Sequence, residues 1–314
     1  MNLAHLVEWA SNKEQFTTLD QYIDFCKAFL DYVKTNIQAD IVSKNESHYH
    51  FLQYKEEGFY NVTRPLNYKL MYSSKETFVF ARDFKKILEN IREDKTKTPT
   101  NRAIVNRSIY TIQQSIGAAL DALPAGMSNR ARKINGDLFE RFIRLILTRI
   151  GIDCTSGVVN VPIIIDGKEE FSMSYQHDLI IKSGKFIKII GSVKTSSKDR
   201  LDKIFIDKFL FSKLTGNLVP HVAIFLNDVQ RKGRPPKGYG INATFLPGHF
   251  KGYTMKLNPL DGVYYCDIRP NMLTEPILKD RIRTFDHFLF GDLWTLLAKS
   301  AIVAKIKPIK ENNE

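Results

Sequence analysis

The stretch from His177 to Thr195 constrains this chain more than any other. His177-Asp178-Leu179-Ile180-Ile181 and Ile189-Ile190-Gly191-Ser192-Val193-Lys194-Thr195 are apolar runs joined through Ser183-Gly184. Two β-branched runs about a Ser-Gly turn predict a β-hairpin. Strand side chains alternate between faces, so Ser192 and Lys194 share one face while Val193 turns into the core. The hairpin brings the start of one strand to the end of the other, and Asp178 and Lys194 can then point into one site. The flanks set the class. Asp137 to Ile150 reads as an amphipathic helix with Phe139, Phe142, Ile143, Ile146 and Ile150 on one side, ended by Gly151. Val158 to Ile165 reads as a strand turned at Asp166-Gly167. A helix from about Asp199 to Leu214 and a buried strand, His221 to Leu226, complete an α/β layered domain.

Before this block the pattern is mostly helical. Phe16 to Ile37, Phe78 to Ile91 and Ala103 to Leu123 carry apolar residues at helical spacing, while Ser43 to Tyr72 is polar, aromatic and irregular. Thr100 or Asn101 is the expected cap of the third helix. A break at Leu123-Pro124-Ala125-Gly126 divides a mainly helical region, 1–125, from a second domain, 126–314, that holds the hairpin. Beyond the block lie a basic loop with Arg231, Lys232, Arg234 and Lys237, a short strand at Gly262 to Cys266, and a closing helix around Phe285 to Lys299.

A chain of 314 residues with 43% hydrophobic content can bury a sizeable core. No apolar run is long enough to span a bilayer, and the start lacks a basic and then apolar leader, so the expected location is the cytoplasm. Cys26, Cys154 and Cys266 have neither disulfide nor zinc spacing and are expected to be reduced. The net charge of +12 favours a polyanionic partner.

The upstream helix offers Glu140 on its polar side, with Arg144 one turn on. Carboxylates that hold Mg²⁺, beside a lysine that orients or deprotonates water, suit phosphodiester hydrolysis. A helix bearing glutamate, a strand-borne Asp178, a hairpin, and then x-x-Lys followed by a helix resembles the PD-(D/E)xK nuclease core, over roughly Asp137 to Leu226. The family's usual acid two positions before the lysine is here Ser192. One branch shares this departure: type II restriction endonucleases that read CCGG, CCNGG or related sites carry Ser-x-Lys and take the missing acid from the next helix, which implies Asp207. The same branch follows its lysine with a basic-acidic-basic cluster, matched here by Lys198-Asp199-Arg200. Base-edge geometry lets Lys198 and Arg200 donate to guanine and Asp199 accept from cytosine.

The resemblance implies a mixed central sheet flanked by helices and metal ligation by Asp178 and Asp207. The implied activity is Mg²⁺-dependent cutting of duplex DNA at a short GC-rich site, leaving 5′-phosphates. It also implies a homodimer and a cognate DNA methyltransferase. Plainer readings stand beside these. Asp178 can be a strand-end aspartate, Asp207 an exposed helix carboxylate and Glu140 an ion-pair partner of its neighbouring arginines. Lys198 to Arg200 can be a solvated helix start, and the basic loop can be a backbone clamp or an ordinary turn. His177 is expected to be packed or on the surface rather than catalytic. A repair or mobile-element nuclease, or a DNA-binding protein on a decayed core, are the competing functions.

Overall fold

A computed structural model of the chain describes residues 1–55, 62–198, 200–216, 218–233 and 238–299. Asp199, Arg234 and Lys237 lie outside the described residues. The chain opens with helices α1 (Leu3–Ser11) and α2 (Leu19–Asn36), the latter started by a Thr18/Gln21 capping box. Where the sequence reads as irregular, a small antiparallel sheet forms from β1 (Ile37–Val42), β2 (Tyr49–Tyr54) and β3 (Leu66–Asn67). Its first strand follows α2 without a loop, and its alternating half-buried and exposed residues supply the strand period that the helical reading passed over. Helices α3 (Thr77–Glu89) and α4 (Pro99–Leu120) come next. The α4 cap is Thr98, whose hydroxyl accepts from the Asn101 amide, with Pro99 in the first turn rather than upstream of the helix.

The break at Leu123 to Gly126 leads into α5 (Ser128–Arg149), which starts well before Asp137. Strands β4 (Cys154–Ile165), β5 (Lys168–Ser183) and β6 (Phe186–Ser196) form an antiparallel meander. Asp166 and Gly167 both take positive φ at the β4–β5 turn, as a tight hairpin requires. After α6 (Leu201–Thr215), β7 (His221–Asn227) pairs parallel with β6. Next, β8 (Val229–Lys232) pairs antiparallel with β9 (Gly240–Ala243), so Arg231 and Lys232 of the basic stretch lie on a strand. Helix α7 (Pro247–Lys256), β10 (Gly262–Tyr265), α8 (Pro270–Thr274) and β11 (Ile282–Thr284) follow, and the described chain closes through α9 (Phe285–His287) and α10 (Leu293–Lys299). The main sheet runs β11-β10-β7-β6-β5-β4, parallel from β11 to β6 and antiparallel beyond. It is a mixed sheet with helices on both faces, as the sequence leads one to expect.

One apolar cluster runs from α1 and α2 through α4 to Phe139, Phe142, Ile143 and Ile146 of α5 and on to Leu179, Ile181, Val193 and Ile224 of the sheet. Helix α4 is buried on every side from Ser108 to Leu120, and within the core the Gln113 amide donates to Asn135 Oδ1 at 2.9 Å. The other sheet face packs on α6 and α7 through Phe205, Phe225 and Phe250. All three cysteines are free thiols, Cys26 and Cys266 buried and Cys154 half-buried. No helix among the described residues is long and apolar enough to cross a membrane.

Candidate active site

The site forms where two strands part. Pairing between β5 and β6 ends at Leu179↔Gly191, after which β6 continues along β7 as far as Ser196↔Asn227 while β5 stays with β4. Gly191 permits the close approach, since a Cβ there would lie 2.9 Å from Leu179 Cδ2. On its other edge β5 is bulged. Between the pairs Thr155↔Ile180 and Gly157↔His177, Asp178 and Leu179 stand opposite Ser156 alone. Bulges of this kind re-aim a side chain and end a ladder. In the fork the Val193 amide donates to Asp178 Oδ2 at 2.9 Å, so a carboxylate takes the place a strand carbonyl would hold in a continuing ladder.

Lys194 Nζ lies 2.7 Å from Asp178 Oδ2 and 2.9 Å from Glu140 Oε1. Glu140 arrives from α5, and Arg144, one turn on, donates to the Asp178 backbone carbonyl at 3.0 Å. Helix α5 is itself held from the N-terminal side. Tyr22 donates to the Leu138 carbonyl at 2.8 Å and stacks on Phe142, and Lys13 pairs with Asp137. Burial pushes the Glu140 carboxyl above its usual range and the Asp178 charge adds to this, against the pull of Lys194 and Arg144. Burial disfavours the Lys194 ammonium, but Asp178 and Glu140 outweigh it and hold its pKa above the ordinary lysine value.

Asp178, Glu140 and Lys194 therefore meet, with half-buried Ser192 on the same strand as the lysine and Val193 in the core. Asp207 lies on α6, where it pairs with Lys203 at 2.5 Å and acts on Tyr175 and His177. Among the described residues no group of three or more His, Cys, Asp or Glu gathers as a metal-binding cluster, so Asp207 does not close on Asp178 and Glu140 here. Two hard-oxygen carboxylates within reach of one ammonium suit Mg²⁺, which takes one or two protein carboxylates and fills its shell with water and substrate phosphate. His177 is packed, edge-on to Phe211 and His221, and burial lowers its pKa.

Lys198 and Arg200 are exposed at the start of α6, where Arg200 is the cap residue. Ser197, between them and β6, meets Thr244 at 3.3 Å, which links this segment to the β8–β9 hairpin. Arg231 and Lys232 are both exposed, and Arg231 donates to the Val62 carbonyl and lies 5.7 Å from the Tyr239 ring.

Sequence reasoning did not find the anchor role of Arg144, nor a buried charged node at the ends of β7 and β10. In that node Asp267 accepts from Tyr49 and Asn67 at 2.9 and 2.7 Å, and Arg269 forks onto Glu46. Asp228 Oδ1 has no hydrogen-bond partner, and Arg269 Nε stands 4.0 Å from it. Burial pushes the Asp228 carboxyl up to about 7 and the Asp267 carboxyl up to about 6. An acid within two residues of the end of each of two apolar strands was the available signal.

The sheet is mixed, with α5 on one face and α6 on the other, and it forks around two carboxylates and a lysine. The crystal structure of the Type IIP restriction endonuclease Kpn2I superposes with a TM-score of 0.70, covering 95% of this chain and 98% of that one at 19% identity. A complex of the restriction endonuclease PspGI with substrate DNA aligns at a TM-score of 0.41, with 14% identity over 71% of this chain and 90% of that one. No protein-family model matches the chain, and no curated protein matches its sequence.

Proposed function

We propose that this chain is a type II restriction endonuclease of the PD-(D/E)xK kind. It would cut both strands of duplex DNA at a short GC-rich site of the CCGG or CCNGG type, leaving 5′-phosphates. The observation that carries the reading is Lys194 Nζ held between Asp178 and Glu140 at the strand fork of a restriction-endonuclease fold. Asp178 and Glu140 would hold Mg²⁺, which when bound supplies charge neutralisation at the phosphoryl oxygens and a more acidic water. The geometry favours Glu140 as the acid that replaces the one missing at Ser192; Asp207 is the other candidate, and would first have to leave Lys203.

Lys194, placed between the two carboxylates, would orient the attacking water and offset developing negative charge. Arg144 keeps the Asp178 backbone in place, and the Val193 amide keeps its carboxylate turned into the fork. Lys198, Asp199 and Arg200 would read base edges, and Arg231, Lys232, Arg234 and Lys237 would line the DNA backbone. A homodimer suits a palindromic site, with a DNA methyltransferase protecting the host and the cytoplasm as the place of action.

Phage DNA incubated with Mg²⁺, against EDTA controls, followed by end sequencing, tests the reading. Discrete fragments with common ends are expected. DNA that is bound but uncut at excess enzyme would overturn it in favour of a binding protein on a decayed core. Cutting confined to branched or flapped substrates would point to a repair or mobile-element nuclease.

A further inference from the structure

Two segments carry exposed cations that the proposed function sets against DNA, the start of α6 with Lys198 and Arg200 and the β8–β9 hairpin with Arg231 and Lys232. They are tied to each other. The Thr244 amide and the Thr244 hydroxyl both donate to the Asp228 carbonyl, at 2.6 and 2.7 Å, and close the base of the hairpin. A hydroxyl has one proton to give. With that proton on Asp228, Thr244 Oγ1 accepts from Ser197 Oγ, 3.3 Å away. Ser197 is buried, and the Arg200 amide donates to its carbonyl at 3.3 Å. Helix α6 starts without a side-chain cap, and Ser197 supplies the tether that a cap would otherwise give.

The hairpin is fixed in turn to the N-terminal region. Val229 and Ile241 pack with Tyr49, Phe51 and Val62. The β1–β2 loop grips β9. The Lys44 amide donates to the Tyr239 carbonyl at 3.0 Å, and the Asn45 side chain exchanges two bonds with the Ile241 backbone at 2.9 and 3.0 Å. Gly240 lets the loop lie this close, since a Cβ there would meet Asn45 Oδ1 at 2.8 Å. A continuous set of bonds therefore runs from the small sheet through the hairpin and Thr244 to the turn that carries Lys198 and Arg200.

We infer that Thr244 is a positioning residue for base reading, and that through it the N-terminal region sets where Lys198 and Arg200 stand. Base-edge contacts need their side chains in register, whereas long cations still reach phosphates after a small shift. Loss of the tether should then lower sequence discrimination more than it lowers overall DNA affinity. The role rests on the proposed reading of Lys198 to Arg200 as base readers; the tether itself does not, and the two are measured separately.

Thr244→Val keeps the size and the amide bond to Asp228 but removes both hydroxyl bonds, and Thr244→Ser restores them. Asn45→Ala loosens the same hairpin from the other end. Without DNA, trypsin cutting after Arg200, read by mass spectrometry of the new end at Leu201, should be roughly 3- to 10-fold faster in Thr244→Val and Asn45→Ala and near wild type in Thr244→Ser. With DNA, the full chain is bound to a pool of random-sequence duplexes in Ca²⁺ and the bound fraction is sequenced. In Thr244→Val the preference for the best site over its single-base variants should fall about fivefold or more, with affinity for the unselected pool within about twofold and the melting temperature within a few degrees. Thr244→Ser should discriminate as the wild-type chain does. Equal trypsin rates in the wild type and Thr244→Val would refute the tether. Faster cutting with unchanged preference would refute its part in base reading, and an equal loss in Thr244→Ser and Thr244→Val would assign the effect to packing instead. A wild-type chain with no preference in the pool would overturn the base-reading function itself, and this role with it.

Discussion

Glu140→Gln and Asp207→Asn, made side by side, separate the two ways of completing the acid set. Both changes remove a charge and keep the shape. Glu140 makes a charge-assisted bond to Lys194 at 2.9 Å, with the two side chains only 22% and 30% exposed. Bonds of this class contribute about 1.5–3 kcal/mol, roughly 10- to 150-fold in a rate that depends on them. Loss of a metal-binding oxygen adds to this, so the single-turnover cleavage rate should fall by about two orders of magnitude or more. The half-saturating Mg²⁺ concentration should rise with it. Asp207 pairs with Lys203 one helical turn away, and Lys203 is 68% exposed. Such i,i+4 pairs contribute about 0.3–0.5 kcal/mol, so Asp207→Asn should stay within roughly threefold of the wild-type rate. The assay is rapid-quench cleavage of a short duplex at saturating enzyme, with melting curves to confirm that both variants fold. An inactive Asp207→Asn beside an active Glu140→Gln would refute the reasoning, and would mean that α6 moves its acid into the fork when DNA binds.

Lys194→Ala should abolish cleavage yet leave duplex affinity within a few-fold when measured in Ca²⁺, since the lysine serves the attacking water more than it anchors the backbone; a large loss of affinity would contradict this. Asp228→Asn should change how stability depends on pH. A carboxyl raised to about 7 in the folded state favours folding while protonated, so its stabilisation is full below the unfolded value of about 4 and is lost as pH rises to about 7. The variant should melt higher than the wild-type chain at pH 8 and show a flatter profile between those limits, and identical profiles would count against the assignment. Gly191→Ala should cost about 1–3 kcal/mol in urea denaturation, because its new Cβ would crowd Leu179 at 2.9 Å from Cδ2 and 3.1 Å from Cβ. A wild-type midpoint would show that the fork can widen freely.

The hairpin and its flanking helices were legible because their signals are local. Apolar alternation around Ser183-Gly184 and the helical spacing of Phe139, Phe142, Ile143 and Ile146 each speak for a single element. The approach of Asp178 to Lys194 followed from hairpin geometry alone. The small N-terminal sheet was not legible, since Ile37 to Val42 carries only two polar residues, Gln38 and Asp40, and follows a helix with no punctuating Gly or Pro. Nor was the bulge at Asp178 and Leu179, because an extra residue in one strand leaves no mark in composition. The Asp267 contacts with Tyr49 and Asn67 join positions about 200 residues apart, and no windowed pattern reaches that far.

That separation bears on how the protein is made. Glu46 meets Arg269 across 223 positions, Tyr49 meets Asp267 across 218, and Asn67 meets Asp267 across 200. Contacts of such long range form late, after the loops they close have been ordered by nearer ones. During synthesis, β2 and β3 leave the ribosome long before their acidic anchor exists, and the side chains of Tyr49 and Asn67 wait for it until Asp267 appears. Products truncated before residue 267 therefore keep the contacts of this sheet with α4, such as Tyr54 to the Ala118 carbonyl, but lack its acidic anchor.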